Sequence, residues 1–162
     1  MKNMLFIMNP KAGRTTLKNS LVDVLEVFCN NDYAVRTYLT KSADDAERIV
    51  QEEGANYDVI VCAGGDGTLG NTVTGYMKSG IRVPLGYIPC GSTNDFARSM
   101  DIPRETVEAA EMIVKAEPFS IDIGSLNDKN FVYVAAFGMF SDTSYATPQN
   151  MKTVSYTHLR AH

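Results

Sequence analysis

The chain has 162 residues and a formal net charge of −4, with 44% hydrophobic and 21% charged residues. This length suits one domain with a real core, or a domain and part of a second, and the composition is that of a soluble globular protein. The acidic balance gives no sign of a surface that binds nucleic acid or coats a membrane. The longest apolar run, Val132 to Phe140, is too short to span a bilayer, and the N-terminus shows no signal peptide.

The three cysteines, Cys29, Cys62 and Cys90, are far apart and lack CxxC spacing. We therefore expect reduced thiols in a cytoplasmic protein. A zinc site is not expected, because the two histidines, His158 and His162, lie at the far end of the sequence.

Apolar runs and helical periodicity alternate along the first two thirds of the chain. The runs predict strands at 4–8, 33–39, 57–63 and 84–89. The periodicity predicts helices at 15–30, 43–53, 69–79 and 103–116. Thr15 and Ser42 are candidate caps for the first two helices, and Gly54 is a candidate stop for the second.

This succession of β and α elements predicts an α/β fold, a parallel sheet with helices on both faces. Ligands of such sheets bind beyond the carboxyl ends of the strands. The polar loop 9–14, Thr40 and the glycine loop 64–68 all follow strands. We therefore expect these three segments to converge on one edge of the sheet.

The glycine loop Gly64-Gly65-Asp66-Gly67-Thr68 lies between a predicted buried strand and a predicted helix. Glycines carry no Cβ, so the chain can turn there with positive φ and come close to a ligand. The free N–H groups of the helix start and the helix dipole then favour an anion such as phosphate.

The glycine loop is not a P-loop, because it has no lysine and no GxxxxGK[ST] occurs. It carries Asp66 instead, which suits a carboxylate that holds Mg²⁺ beside a polyphosphate. The alternative is that Asp66 caps the following helix. Lys11 and Arg14 are candidate phosphate contacts, since the glycine loop has no cation of its own; otherwise they are ordinary solvated loop charges.

A second polar cluster, residues 90–98, follows the fourth predicted strand. It holds two hydroxyls, an amide, an acid and Arg98. Either Ser92 or Thr93 can cap a short helix that includes Phe96, and the Asn-Asp pair at 94–95 is also compatible with a plain turn.

The alternating segment 119–126 predicts a strand, 127–130 a turn and 131–140 a returning strand. We expect this hairpin to begin a second domain. Asp122 and Asp142 can both be solvent-facing residues.

Three motifs together resemble the diacylglycerol kinase catalytic domain family, which includes bacterial lipid kinases and sphingosine kinases. They are Asn-Pro-x-Ala-Gly at 9–13, Gly-Gly-Asp-Gly-Thr at 64–68 and Ile-Pro-x-Gly-Ser-Thr-Asn-Asp-Phe-Ala-Arg at 88–98. The resemblance covers residues 1 to about 152. It implies a phosphofructokinase- or NAD kinase-like nucleotide-binding domain at 1–117 and the start of a β-rich domain at 118–152.

The resemblance also implies site residues. Asp66, Asp95 and Asp122 would form an acidic network associated with Mg²⁺, and Arg14 and Arg98 are further candidates for phosphate contact. Two departures from the family pattern follow the glycine loop, where Asn71 and Thr74 replace residues that are often Glu and Asn. The residues implied to bind ATP are Asn9, Pro10, Lys11, Ala12, Gly13, Thr40, Gly64, Gly65, Asp66, Gly67, Thr68, Leu69, Gly70, Asn71 and Ser92.

The activity implied is that of an ATP-dependent lipid kinase acting on a lipid hydroxyl, with diacylglycerol as the expected acceptor. The protein would be cytoplasmic and peripheral to the membrane, in transient contact with its lipid, without a nucleic-acid partner, and a homodimer in its full-length form. An NAD kinase shares the glycine loop but should lack the 92–98 motif, and a non-catalytic nucleotide-binding module is a further alternative. A dehydrogenase is poorly supported because no G-x-G-x-x-G follows the first strand.

Relatives of this family are about twice as long, as expected for two domains. We therefore expect this chain to be an N-terminal fragment that is inactive alone, with its catalytic base and a second metal site beyond it. Residues 153–162 break the pattern and are interpreted as a non-native tail.

Overall fold

The computed structural model describes residues 1–12, 16–126 and 129–131. Its strands are β1 (Lys2–Met8), β2 (Tyr33–Leu39), β3 (Val59–Gly64), β4 (Leu85–Pro89), β5 (Gly124–Leu126) and β6 (Lys129–Phe131). Its α-helices are α1 (Thr16–Asn30), α2 (Asp45–Glu53), α3 (Asp66–Ser79), α4 (Asp95–Ser99) and α5 (Thr106–Lys115). A 3₁₀ turn, Gly54–Asn56, follows α2.

The first four strands form one parallel sheet in the order β2-β1-β3-β4. The two central strands are apolar and almost completely buried, as expected for strands covered on both faces. Met8 lies beside Leu39 and Ala63, and Gly64 lies beside Pro89, so the four carboxyl ends are level. The predicted α/β fold is confirmed, and the loops that follow these strands share one edge.

Helices cover both faces of the sheet, because side chains alternate between the faces along each strand. On one face α1 and α5 pack against Phe6 and its neighbours, and the rings of Phe6 and Phe28 meet edge to face with centroids 5.7 Å apart. On the other face α2 contributes Ile49 to a cluster with Ile60. A Cβ on Gly75 of α3 would lie 2.7 Å from the Glu47 carbonyl oxygen, so α2 and α3 can pack this closely only at a glycine.

Three helix starts differ from the predictions by two or three residues. Helix α3 begins at Asp66, three residues before the predicted start at residue 69. Helix α2 begins at Asp45, and Ser42 does not cap it; the carboxylate of Asp45 instead accepts hydrogen bonds from the N–H groups of the loop before it. Helix α5 begins at Thr106 rather than at residue 103, because Glu105 is its N-cap and accepts the N–H of Glu108 at 2.8 Å. The proposed cap Thr15 lies outside the described residues.

The strand predicted at 119–126 is reduced to Gly124–Leu126, which pairs in antiparallel fashion with Lys129–Phe131. Alternation in 119–123 does not make a strand there, since among the described residues these five have no strand beside them. Phe119 and Ile121 are exposed as a result. The returning strand beyond residue 131, Asp142 and the tail 153–162 lie outside the described residues, and the domain division at 117/118 stays a prediction.

All three cysteines are free, with Cys29 exposed and Cys62 and Cys90 buried. Within the described part of the chain, none of the helices has the length and apolarity needed to cross a membrane.

Candidate functional site

A cavity of about 370 Å³ opens at the carboxyl edge of the sheet, among the segments that follow β1, β2 and β3. It brings together the three segments that the sequence predicts to converge. Its lining residues are Asn9, Lys11, Ala12, Thr40, Ser42, Ala43, Ala46, Gly65, Gly67, Thr68 and Asn71. Eight of these are among the residues predicted to bind ATP.

Three residues that were not predicted as site residues, Ser42, Ala43 and Ala46, complete the wall beside Thr40. Small side chains such as these, two in the loop before α2 and one in its first turn, carry no local signal for binding. Their proximity to Thr40, which follows β2 at the same edge, is the signal that points to them. Pro10, Gly64, Asp66, Leu69, Gly70 and Ser92 are predicted site residues that do not line the cavity, and Gly13 and Arg14 lie outside the described residues.

The first turn of α3 faces this cavity. Its first helical hydrogen bond runs from the Leu69 N–H to the Gly65 carbonyl oxygen at 3.1 Å, so the N–H groups of Asp66, Gly67 and Thr68 stay outside the helical ladder. A Cβ placed on Gly67 would meet no described atom within 4 Å. Bare backbone and free N–H groups at the positive end of a 14-residue helix make a surface suited to an anion.

A positive φ is not the reason that this loop carries glycines, contrary to the expectation from sequence. Gly65 has φ −91° and ψ −178°, an extended conformation open to any residue, and Gly80 is the one described glycine with positive φ. Glycines are needed at positions 64 and 65 because other atoms come close to both residues. A Cβ on Gly64 would lie 2.6 Å from the Thr68 side chain, and a Cβ on Gly65 would lie 3.3 Å from the Cα of Gly91.

Asn9 joins the loop after β1 to the start of α3. Its Oδ1 accepts the N–H of Lys11 at 3.0 Å, and its Nδ2 donates to Thr68 Oγ1 at 3.0 Å. Both ends of the amide are therefore used in fixing the cavity wall. Lys11 is the one cation among the described lining residues, and its backbone is held by this turn.

The wall after β2 is held by Asp45. Its Oδ2 accepts the N–H groups of Lys41 at 2.6 Å and Ser42 at 3.1 Å. These two hydrogen bonds, with help from Arg48, lower the pKa of the Asp45 carboxyl to about 2. The adjacent Thr40 is buried, and its N–H donates to the Met8 carbonyl oxygen at 2.9 Å.

The loop after β4 is organised by the buried side chain of Asn94. Its amide accepts the Gly91 N–H at 2.8 Å and donates to the Gly91 carbonyl oxygen at 2.7 Å. The Tyr87 hydroxyl donates to the Gly64 carbonyl oxygen at 3.1 Å and lies 3.4 Å from Asn94 Oδ1. Asn94 has φ 51°, a left-handed conformation that asparagine tolerates better than most residues. Ser92 is exposed on this loop.

Asp66 is a cap, but not of its own helix. Its carboxylate accepts the N–H of Asp95 at 3.1 Å and of Phe96 at 3.3 Å, the first N–H groups of α4. The N-cap of α4 is Asn94, whose side chain makes no cap hydrogen bond, so the capping role predicted for Ser92 or Thr93 is wrong. A residue from α3 takes that role because the loops after β3 and β4 are in contact.

Asp95 is the acid next to this cap. Burial, followed by the negative charge of Asp66, raises the pKa of the Asp95 carboxyl, and Arg98 at 3.7 Å partly offsets the rise. Two carboxylates are thus held close enough to repel each other. Asp122 is exposed, and no hydrogen bond or ion pair within the described ranges joins it to this pair, so its place in an acidic network stays a prediction.

The model for the diacylglycerol kinase catalytic domain matches residues 3–126. The chain is 38% identical to a diacylglycerol kinase of Bacillus subtilis (strain 168) over 156 residues, which cover 95% of this chain and 52% of the relative. It is 36% identical to a diacylglycerol kinase of Staphylococcus aureus (strain JH9) over 157 residues, which cover 94% of this chain and 49% of the relative.

A crystal structure of a diacylglycerol kinase from Bacillus anthracis str. Sterne has the same fold, with a TM-score of 0.79 at 27% identity. The match covers 96% of this chain and 54% of that chain. The chain therefore spans about half the length of the curated relatives it matches.

Proposed function

The chain belongs to the diacylglycerol kinase catalytic domain family, and on this premise we propose that it forms the nucleotide-binding part of an ATP-dependent lipid kinase. The enzyme transfers the γ-phosphoryl group of ATP to a lipid hydroxyl, with diacylglycerol as the acceptor. The observation that carries this proposal is the open first turn of α3, whose free N–H groups face a cavity at the carboxyl edge of the sheet.

The phosphates of ATP are assigned to the α3 end of the cavity. There the N–H groups of Gly67 and Thr68, which both line the cavity, donate to phosphate oxygens, and the absence of a side chain on Gly67 allows the approach. The Lys11 ammonium adds positive charge. Phosphoryl transfer depends mainly on positioning and on neutralising charge, and this end of the cavity offers both. Small side chains, Ala12, Ala43 and Ala46, leave room for the nucleoside.

Mg²⁺ is the expected cofactor, and the carboxylates of Asp66 and Asp95 are the residues that would attract it. Two repelling carboxylates in a partly buried place favour a cation between or beside them. In the described part of the chain no three acids, histidines or cysteines form a metal-holding group, which agrees with a cation that keeps several waters and uses phosphate oxygens as ligands. When bound, Mg²⁺ would offset the negative charge of the phosphates.

The remaining proposals concern the whole protein. The name diacylglycerol kinase, which its relatives carry, supports the lipid acceptor; the membrane contact, the location and the dimer carry over the expectations drawn from the sequence. The enzyme takes its acceptor from a membrane surface in transient contact, and it is cytoplasmic and peripheral to the membrane. It acts as a homodimer.

Two measurements on the intact protein test the proposed function. The first is titration with Mg·ADP, for which we expect saturable binding. The second is transfer of labelled γ-phosphate from ATP to dispersed diacylglycerol, with NAD as the competing acceptor. Transfer to NAD in place of the lipid would make the protein an NAD kinase. Binding without transfer to either acceptor would make it a non-catalytic nucleotide-binding module.

A further inference from the structure

The loop of residues 40–44, here called the β2–α2 loop, is held from two sides. From one side the Asp45 carboxylate accepts two of its N–H groups. From the other side Asn71 of α3 donates from Nδ2 to the Ala43 carbonyl oxygen at 2.7 Å. The loop forms the cavity wall that faces α3, through Thr40, Ser42 and Ala43.

Asn71 stands one helical turn after Gly67, and residues four apart lie on the same face of a helix. Both residues line the cavity. The hydrogen bond from Asn71 therefore connects the helix face that offers free N–H groups to the loop on the opposite side. A hydrogen bond in this place limits how far the two walls can separate.

We propose that Asn71 is a positioning residue: its hydrogen bond to the Ala43 carbonyl holds the β2–α2 loop against α3 and so sets the width of the nucleotide cavity. That the cavity holds a nucleotide rests on the proposed function. The position of the loop itself can be tested without any nucleotide.

The hydrogen bond to the Ala43 carbonyl oxygen requires a donor in the side chain at position 71. Asn71→Ala removes the donor and most of the side chain. Asn71→Asp keeps the size but replaces the amide NH₂ with a carboxylate oxygen, which accepts only and is repelled by the carbonyl oxygen. If the donor matters and not the volume, Asn71→Asp disturbs the loop at least as much as Asn71→Ala.

Asn31 offers a matched control. Its Nδ2 donates to the Val27 carbonyl oxygen at 2.7 Å, the same kind of hydrogen bond at the same length, at the end of α1. Asn31 does not line the cavity. Asn31→Ala therefore removes an equivalent exposed amide–carbonyl bond in a different part of the fold.

The first arm of the test is hydrogen exchange of the backbone amides at 41–44 in the full chain without nucleotide. We expect several-fold faster exchange in Asn71→Ala and Asn71→Asp and no change in Asn31→Ala. Unchanged exchange in both Asn71 variants would overturn the proposal. Equal acceleration by Asn31→Ala would also overturn it, because the effect would then be general loss of stability.

The second arm is titration with Mg·ADP and, separately, with inorganic tripolyphosphate. Loss of one hydrogen bond that orders the wall should weaken Mg·ADP binding about 3- to 10-fold in both Asn71 variants. Tripolyphosphate, which needs only the α3 end and Lys11, should bind as in the wild type. Faster loop exchange with unchanged Mg·ADP affinity would overturn the role of the loop in the cavity. A wild-type chain that does not bind Mg·ADP would contradict the proposed function, while the exchange arm would still decide whether Asn71 positions the loop.

Discussion

The backbones of Gly65 and Gly91 are in direct contact: a Cβ built on Gly91 would lie 2.6 Å from the Cα of Gly65 and 2.7 Å from Asn94 Oδ1. The loops after β3 and β4 can therefore meet only because Gly91 has no side chain. This contact brings α4 close to the start of α3, where the Asp66 carboxylate accepts the first N–H groups of α4. The contact between the two loops thus depends on a close approach of backbone at Gly65 and Gly91, neither of which has a positive φ.

Gly91→Ala should destabilise the protein by about 1–3 kcal/mol, because backbone atoms must move to admit the new methyl group. Urea denaturation of the variant and the wild type measures this difference. An unchanged free energy of unfolding would show that the two loops can separate at no cost.

Gly67→Ala is the matched comparison and should behave in the opposite way. The new Cβ would meet no described atom within 4 Å, and alanine favours a helix by up to about 1 kcal/mol over glycine, so stability should be equal or higher. Nucleotide affinity should nevertheless fall, since the methyl group occupies the face that phosphate approaches. Full affinity in this variant, measured by Mg·ADP titration, would contradict the phosphate assignment.

The sequence predicts the sheet well because its signals are local. Buried strands are continuous apolar runs, glycines interrupt them, and the βα succession then predicts a parallel sheet, which places the loop 9–14, Thr40 and the glycine loop at one edge. The alternation at 119–126 predicts less, because a strand also needs a neighbour, and in the described structure only Gly124–Leu126 has one.

The interactions of individual site residues could not be predicted in the same way. The partners of Asp66 are the N–H groups of residues 29 and 30 positions later, and only the contact between Gly65 and Gly91 brings them into reach. A local pattern can suggest that Asp66 caps a helix, but it cannot show which helix. Ala43 was missed for a related reason: its carbonyl oxygen matters, and a backbone atom leaves no mark in the sequence.

Asp66→Asn should lower the free energy of unfolding by about 1–3 kcal/mol, because one of two partly buried N–H groups of α4 loses its acceptor and faces an amide NH₂. Urea denaturation measures the loss. Asp23→Asn, an exposed change of the same charge on α1, is the control and should have little effect. Equal stability of the two variants would leave Asp66 without a capping role and favour a role only toward Mg²⁺.

Asp45 gives a prediction about pH. Its pKa is lowered from 3.8 to about 2 in the folded chain by hydrogen bonds from the loop N–H groups, so its stabilising contribution is fully present above pH 3.8. The contribution is lost as the pH falls from about 4 toward 2. The difference in unfolding free energy between the wild type and Asp45→Asn should therefore be constant from pH 7 to pH 5 and shrink below pH 4.

Asp44→Asn is the control for this series, because Asp44 makes no side-chain cap hydrogen bond. Urea denaturation at pH 7, 5 and 3 gives the free energy of unfolding of the wild type, Asp45→Asn and Asp44→Asn. A gap between the wild type and Asp45→Asn that is independent of pH would show that the carboxylate charge is not what holds the loop.

Asp95 should be a residue that lowers stability in exchange for cation binding. Its pKa is raised by burial and by Asp66, so ionisation above its ordinary pKa of 3.8 costs folding free energy, and at pH 7 Asp95→Asn should be as stable as the wild type or more so. The same change removes one of the two carboxylates expected to attract Mg²⁺. Affinity for ADP, measured with and without Mg²⁺, should therefore depend less on the cation. Arg98→Gln keeps both acids and should retain the full Mg²⁺ dependence. If Asp95→Asn lowers stability and leaves the Mg²⁺ dependence unchanged, Asp95 serves the helix start and not the cation.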